Sequence, residues 1–368
     1  MHFHCPKNDL LEGIMTVQKA IASKSTLPIL EGIYIETVKD VLKLVGTDLD
    51  LGIESYINAE IAKEGKIVLP GRLFSEVIRK LPEGEVEFRI ENDHSVIIQC
   101  QHSRTTLQGL SADEYPELPK VVEDNPLEIS QDLFKDMIRQ TIFSVAVDET
   151  RPILTGALLE INGQEVNLVA LDGYRLALRR GLLDKDGGNK GTVIPGKSLN
   201  EISRILGASE DPISITIANN HILVDMGYTR IISRILEGEF INYRQILPDE
   251  YQTRIKIERA VLLDSIERAS LVAREGRNNL IKFSLQEDKM IITSNSESGN
   301  VYEEVPHSLE GKELEIAFNA KYFTDVLKNL DDEYIYMEFN SSVSPCIMKP
   351  IDGNGFLYLI LPVRIYGN

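Results

Sequence analysis

The chain is one unit written three times, and that repetition constrains its fold more than any single motif. PILEGIYIE from Pro28 recurs as PILTGALLE from Pro152, and LVGTD (Leu44 to Asp48) recurs as LVALD (Leu168 to Asp172), both at an offset of 124 residues. A weaker third copy, IITSN (Ile291 to Asn295), lies another 123 residues along. A third of 368 residues is about 123, so three copies fill the chain. The second half of each unit repeats too. A β-branched run enters a helix at KIVLPGRLFSEVIRKL (from Lys66), TVIPGKSLNEISRIL (from Thr192) and LEIAFNAKYFTDVLKNL (from Leu314). Aligning Pro70, Pro195 and Asn319 brings Phe74, Leu199 and Phe323 level, then Val77, Ile202 and Val326, then Leu81, Leu206 and Leu330. Steps of three and four residues place each set on one helical face.

Each unit also opens on a helix: NDLLEGIMTVQKAIA, SQDLFKDMIRQTIFSVA and ERAVLLDSIERASLVA. Asn8 and Ser130 are the expected caps, and Glu258 is a first-turn acid. Alternating runs such as VEFRI and VIIQC supply strands. The expected fold class is α+β, three tandem copies of a two-helix, antiparallel-sheet domain. Polar, proline-bearing seams at Val121 to Pro126 and Leu247 to Thr253 set the domains at residues 1–124, 125–250 and 251–368.

Composition narrows the setting. Hydrophobic residues make up 43% and charged residues 26%, as in folded proteins. No apolar run approaches the ~18 residues of a membrane span. The opening MHFHCPKNDL lacks the basic-then-apolar pattern of a secretion signal. Three scattered cysteines (Cys5, Cys100, Cys346) fit reduced thiols in the cytoplasm better than a disulfide framework. His2, His4 and Cys5 are too few for a closed metal site and alternate along an expected strand, so neither metal nor cofactor is expected.

The net charge of −18 argues against nucleic acid, whose binding comes mostly from neutralised phosphates. The charge is unevenly spread. The six helical segments together carry +5, which leaves −23 on the rest. Helices sharing one face would make that face mildly basic and every other surface acidic, although solvated helix charge alone gives the same count.

Three such units, with TLPIL (Thr26 to Leu30), GTDLDL (Gly46 to Leu51), LDGYRL (Leu171 to Leu176) and LPVR (Leu361 to Arg364), resemble the bacterial β sliding clamps, the β subunit of DNA polymerase III. The likeness covers essentially the whole chain, and the order and spacing of the motifs carry it. It implies the DNA clamp fold and a head-to-tail homodimer of six domains closed as a ring, with strands outside and twelve helices lining the hole. Twelve helices about 10 Å wide make a circle roughly 38 Å across, which accepts a duplex and its water. The implied function is that of a non-enzymatic replication processivity factor. It would encircle double-stranded DNA without reading bases and tether the replicative DNA polymerase, the clamp loader and repair proteins through a shared peptide pocket.

Carried over residue by residue, the resemblance gives that pocket an apolar floor of Leu154, Leu171, Gly173, Tyr174, Arg175, Leu176, Ile241, Ile246, Leu359 and Leu361. A second subsite would use Arg151, Asn319, Tyr322, Val343, Pro362, Val363 and Arg364. Lys24, Arg72 and Lys197 would face DNA. Leu107, Leu271 and Val272 would line the dimer seam, with Thr105 where some relatives carry an aromatic.

Three other readings compete. Gly191 to Ser198 spells G-TVIP-GKS, a formal phosphate-loop match, and LVALD ends on a carboxylate. The equivalent KIVLPGRL of the first copy has no such pattern, so the repeat explains these residues without a nucleotide. No G-x-S-x-G elbow or metal-spaced histidine set points to hydrolysis. A repeat scaffold that binds proteins but not DNA is the non-enzymatic alternative.

Overall fold

The computed structural model describes residues 1–22, 24–91 and 94–364. The same order of elements runs three times, with one extra short strand, Glu60–Lys63, in the first copy. The first copy holds β1 (His2–Pro6), α1 (Lys7–Val17), β2 (Gly32–Val38), β3 (Val41–Thr47), β4 (Leu51–Asn58), β5 (Glu60–Lys63), β6 (Lys66–Pro70), α2 (Gly71–Lys80), β7 (Glu85–Ile90), β8 (Ser95–Cys100) and β9 (Ser103–Gln108). The second holds β10 (Leu127–Ser130), α3 (Gln131–Arg139), β11 (Gly156–Asn162), β12 (Glu165–Leu171), β13 (Arg175–Leu182), β14 (Asn189–Pro195), α4 (Gly196–Ile205), β15 (Pro212–Ile217), β16 (His221–Asp225) and β17 (Thr229–Arg234). The third holds β18 (Thr253–Glu258), α5 (Arg259–Ala273), β19 (Leu280–Leu285), β20 (Lys289–Ser296), β21 (Gly299–Gly311), β22 (Leu314–Asn319), α6 (Ala320–Leu327), β23 (Tyr334–Phe339), β24 (Cys346–Pro350) and β25 (Phe356–Ile360).

The chain packs as two compact units, one of residues 1–132 with 200–235, the other of 133–199 with 236–368. In the first unit one sheet runs β5-β1-β7-β8-β9 and another runs β10-β15-β16-β17-β4-β3-β2-β6. The second unit holds one hydrogen-bonded order, β14-β11-β12-β13-β25-β24-β23-β18-β21-β20-β19-β22. Each unit therefore contains one strand junction that joins two copies. In the first, β17 lies antiparallel to β4 with Ile231 opposite Ile53; in the second, β25 lies antiparallel to β13 with Tyr358 opposite Ala177.

Burial follows the aligned helical positions. Phe74, Leu199, Phe323, Ile202, Val326, Leu81, Leu206 and Leu330 are all buried. Val77 departs: it is half-buried, and Ile78 takes its place in the core.

The opening helices keep one expected cap position and correct the other: Ser130 directly precedes α3. Asn8 lies inside α1, whose cap position is Pro6, and Glu258 sits at the cap of α5 without a side-chain hydrogen bond. The first amide is instead met by backbone: Lys7 N donates to the Gly84 carbonyl (3.0 Å), Gln131 N to Asp211 (3.1 Å) and Arg259 N to Glu333 (2.9 Å). Each acceptor immediately precedes β7, β15 or β23, so the fold supplies the same carbonyl to the orphan donor in every copy. α1 and α3 also stop earlier than the apolar pattern suggests and continue as 3₁₀ turns at Gln18–Ala20 and Ile142–Ser144.

Candidate partner-binding site

The hairpin between β12 and β13 turns through Gly173 and Tyr174, with Leu171 paired to Leu176 and Asp172 N bonded to the Arg175 carbonyl. Gly173 has φ +90° at the first central position, where a tight hairpin turn calls for glycine. The Asp172 carboxylate accepts from Tyr174 N (2.9 Å) and Arg175 N (3.1 Å), which locks the turn. β25 pairs with β13, so Leu359 lies directly across from Leu176.

These strands bury one apolar cluster: Leu154, Leu171, Leu176 and Leu359 with Val169, Leu178, Tyr243, Ile347 and Leu357. The four sequence-identified leucines are all within 4% of full burial. Removing each from water contributes about 1.5–3 kcal/mol, so this floor is held by the protein's own packing. The rest of the expected floor is rim instead. Tyr174 is 63% exposed, Ile246 46%, Leu361 39% and Ile241 37%. Their neighbours explain it: Phe240 and Leu247 pack on the cluster, which turns Ile241 and Ile246 outward.

Arg175 is a second correction, since it is a charged hub and no part of an apolar floor. Its guanidinium meets Asp172 at 3.0 Å and Asp325 at 2.6 Å, donates to the Phe143 carbonyl, and lies 4.7 Å from the centre of the Tyr322 ring. Its side chain is 8% exposed, so its donors are spent on the protein itself. The Tyr174 and Tyr322 rings stack with centres 6.4 Å apart, and burial raises the Tyr322 hydroxyl above its ordinary pKa. Two backbone bonds dock the chain end: Leu361 N to the Tyr174 carbonyl (2.9 Å) and Val363 N to Ala317 (2.8 Å). Asn319 caps α6 by accepting from Lys321 N. Pro362 and Val363 are half-buried, Val343 is 67% exposed, and Arg151 and Arg364 are exposed.

The sequence reading missed Tyr243, Ile347, Leu357 and the partners Phe143 and Asp325. Only Asp325 carried a signal, standing four residues after Lys321 on one helical face; the others meet the site through pairings remote in sequence. The arrangement can accept an extended peptide with bulky apolar side chains, because an exposed apolar rim beside a buried leucine floor is surface awaiting a partner.

The charged positions divide. Lys24, Arg72 and Lys197 are exposed, Arg72 with Glu76 at 3.2 Å. Further cations on the helices or at their ends are ion-paired within the chain: Lys7 with Glu83 (2.8 Å), Arg268 with Glu303 (2.6 Å), Lys328 with Glu267 (2.7 Å) and Arg139 with Asp136 and Asp331. The helical surplus of charge is thus only partly presented to solvent. At the seam positions, Leu271 is 64% exposed and Val272 half-buried. Leu107, on strand β9, is 6% exposed in the single chain. The phosphate-loop match runs directly from β14, where Gly191 to Pro195 pair with β11, into the first turn of α4 at Gly196 to Ser198, so no loop lies between them to cradle a phosphate.

Three family models match the chain: the DNA polymerase III beta subunit N-terminal domain over residues 1–119, its central domain over 128–242 and its C-terminal domain over 244–364. The chain is 39% identical to the beta sliding clamp of Bacillus subtilis and 38% identical to that of Staphylococcus epidermidis, each across all of both chains. The crystal structure of the Bacillus subtilis DNA polymerase sliding clamp superposes with a TM-score of 0.96 over 100% of both chains. A Pseudomonas aeruginosa sliding clamp bound to griselimycin is 26% identical, with a TM-score of 0.94 over 99% of this chain and 100% of that one.

Proposed function

Because this chain belongs to the DNA polymerase III beta subunit family, we propose that two copies close a ring around duplex DNA and hold DNA polymerase there through the leucine-floored site. It is a DNA sliding clamp, a processivity factor, and the family membership favours that function over a scaffold that does not bind DNA. The chain does no chemistry of its own. It raises processivity because tethering makes each rebinding of the polymerase a local event at high effective concentration. Its domains are residues 1–124, 125–250 and 251–368, and it works in the cytoplasm. The clamp loader and repair proteins use the same peptide site, floored by Leu154, Leu171, Leu176 and Leu359 and rimmed by Tyr174, Ile241, Ile246 and Leu361.

The observation that carries the ring is a pair of strands left without the neighbour their equivalents have. β4 pairs with β17, and its equivalent β13 pairs with β25. Among the described residues, the third equivalent, residues 299–306 of β21, pairs on one side with β20, while β9 pairs with β8 alone. A second chain completes both edges, as sheet edges require. The hairpin turns give the register and correct the third copy by one residue: Asp48, Asp172 and Ser296, not Asn295, each precede a two-residue turn. Ile53, Ala177 and Val301 are equivalent through their hairpin partners Gly46, Ala170 and Ser294. Ile231, Tyr358 and Thr105 are equivalent through Val224, Met348 and Ile98. Thr105 of one protomer then faces Val301 of its partner.

Two measurements test this. The double variant Thr105→Cys, Val301→Cys should cross-link into a covalent dimer on mild oxidation, and pairing Thr105→Cys with Tyr302→Cys should cross-link far less. The cross-linked ring, once loaded on closed circular DNA, should stay through a high-salt wash and leave when the circle is cut. Equal retention on linear DNA would overturn encirclement.

A further inference from the structure

Strand β1 alternates cleanly. Phe3 and Cys5 are buried, whereas His2 and His4 are half-buried on the opposite face. Residues two apart on a strand share a side, so both imidazoles project from one surface of the sheet. β7 runs antiparallel beside β1 and places Glu87 directly across from His4, with Arg89 across from His2. On the other edge, β5 sets Glu60 across from His4. His2 Nε2 lies 3.0 Å from Glu87 Oε1, and the two imidazole rings are 5.2 Å apart. One ligand atom from each of His2, His4 and Glu87 lies within 4.8 Å of the others.

We propose that His2, His4 and Glu87 bind a divalent transition-metal ion, with Zn²⁺ the best match. Imidazole nitrogen and carboxylate oxygen are the donors that suit zinc, at about 2.0–2.2 Å, and three protein ligands leave a position for water. Ligand atoms around such an ion stand roughly 3.3–3.6 Å apart, so these side chains need close by only about 1 Å. His2 and Glu87 already meet within that separation. The backbone need not move, because the register of β1 on β7 provides the approach. Arg89, now 3.7 Å from Glu87, keeps its other partner Glu91 at 3.4 Å when the ion takes the carboxylate. Cys5 faces the core and contributes nothing. The expectation of no metal at this terminus rested on too few ligands in one stretch of sequence. The third arrives from a strand 85 residues away.

The test uses the full-length protein without a polyhistidine tag, which would itself bind metal. Calorimetric titration with Zn²⁺ should give one ion per chain, and Co²⁺ in its place should give the visible absorption of a low-symmetry site. His4→Asn and Glu87→Gln should each weaken binding at least tenfold, since even supporting groups around a metal cost 10–100-fold when removed. His102→Asn, on an exposed turn elsewhere, should bind as the parent does. Zn²⁺ should raise the thermal midpoint of the parent more than that of His4→Asn, because the ion binds only the folded pairing of β1 with β7. Unchanged affinity in His4→Asn, loss in His102→Asn, or no saturable binding to the parent would overturn the site.

Discussion

Gly173 and Leu49 occupy the same place in two copies of one hairpin turn. Both have positive φ, +90° and +79°, and both follow an aspartate whose carboxylate accepts amides from the turn. A side chain at such a φ costs about 1–2 kcal/mol, against roughly 0.5–1 kcal/mol for the extra freedom of glycine in the unfolded chain. Leu49 is half-exposed and so gains little from burial. Leu49→Gly should therefore raise the urea midpoint slightly, and Gly173→Ala should lower stability by about 1 kcal/mol, although a methyl at Gly173 meets nothing within 4 Å. A lower midpoint for Leu49→Gly would show that the turn is not strained. Exposure also separates two probes of the binding site. Leu176 is 1% exposed, so Leu176→Asp places a charge in a core and should unfold the site as well as abolish binding. Tyr174→Ala, at the rim, should weaken capture of a Leu- and Phe-bearing peptide about tenfold while leaving the thermal midpoint near the parent's, measured by anisotropy and calorimetry.

At the scale of elements, Arg175 fastens the start of β13 to α6. Arg175→Ala would leave Asp172 and Asp325 with a lost cation in a mostly buried setting, for a cost of about 2–4 kcal/mol. Arg175→Lys should recover little of it, because one ammonium cannot reach two carboxylates and the Phe143 carbonyl in the same fork. Chemical unfolding of the three proteins checks the order; a fully stable lysine variant would contradict the hub. A second tie joins β11 to the turn at Tyr243–Ile246. Arg244 holds the Glu160 carboxyl below its ordinary value of 4.5, helped by the Tyr243 hydroxyl at 3.0 Å. A depressed carboxylate stabilises above its unfolded value and loses that contribution as pH falls through the folded one. The stability gap between the parent and Arg244→Ala should thus be widest at neutral pH and narrow in acid, as pH falls through the lowered Glu160 value. A gap that widened in acid would refute the assignment.

For the whole molecule, mass is the decisive quantity. Light scattering at micromolar concentration should give twice the 41.4 kDa of one chain. Leu271→Asp, on the exposed face of α5, should shift that mass toward the monomer without lowering the thermal midpoint of the separated chain. Lys24→Glu and Lys197→Glu should reduce loading on DNA while leaving the dimer intact, with the loss greatest at low salt. A parent protein that stays monomeric at high concentration would remove the ring.

The sequence by itself determined the threefold repeat, the strand-into-helix segments and the leucines that become buried, because hydrophobic periodicity acts locally and survives in one dimension. It also exposed the phosphate-loop match as a strand running straight into a helix, since the first copy spells the same junction without the motif. Tertiary structure alone decided what depends on distant pairing. The backbone carbonyls that cap α1, α3 and α5 come from the far end of each copy, and no side-chain pattern announces them. Arg175 reads as one more polar residue until Asp325 arrives from 150 positions away. His2 and His4 read as two alternating strand positions until the register of β7 sets Glu87 beside them. The reason is the same in each case: a side chain's role is set by the electrostatics and burial of its neighbours, and antiparallel pairing chooses those neighbours across separations that local pattern cannot span.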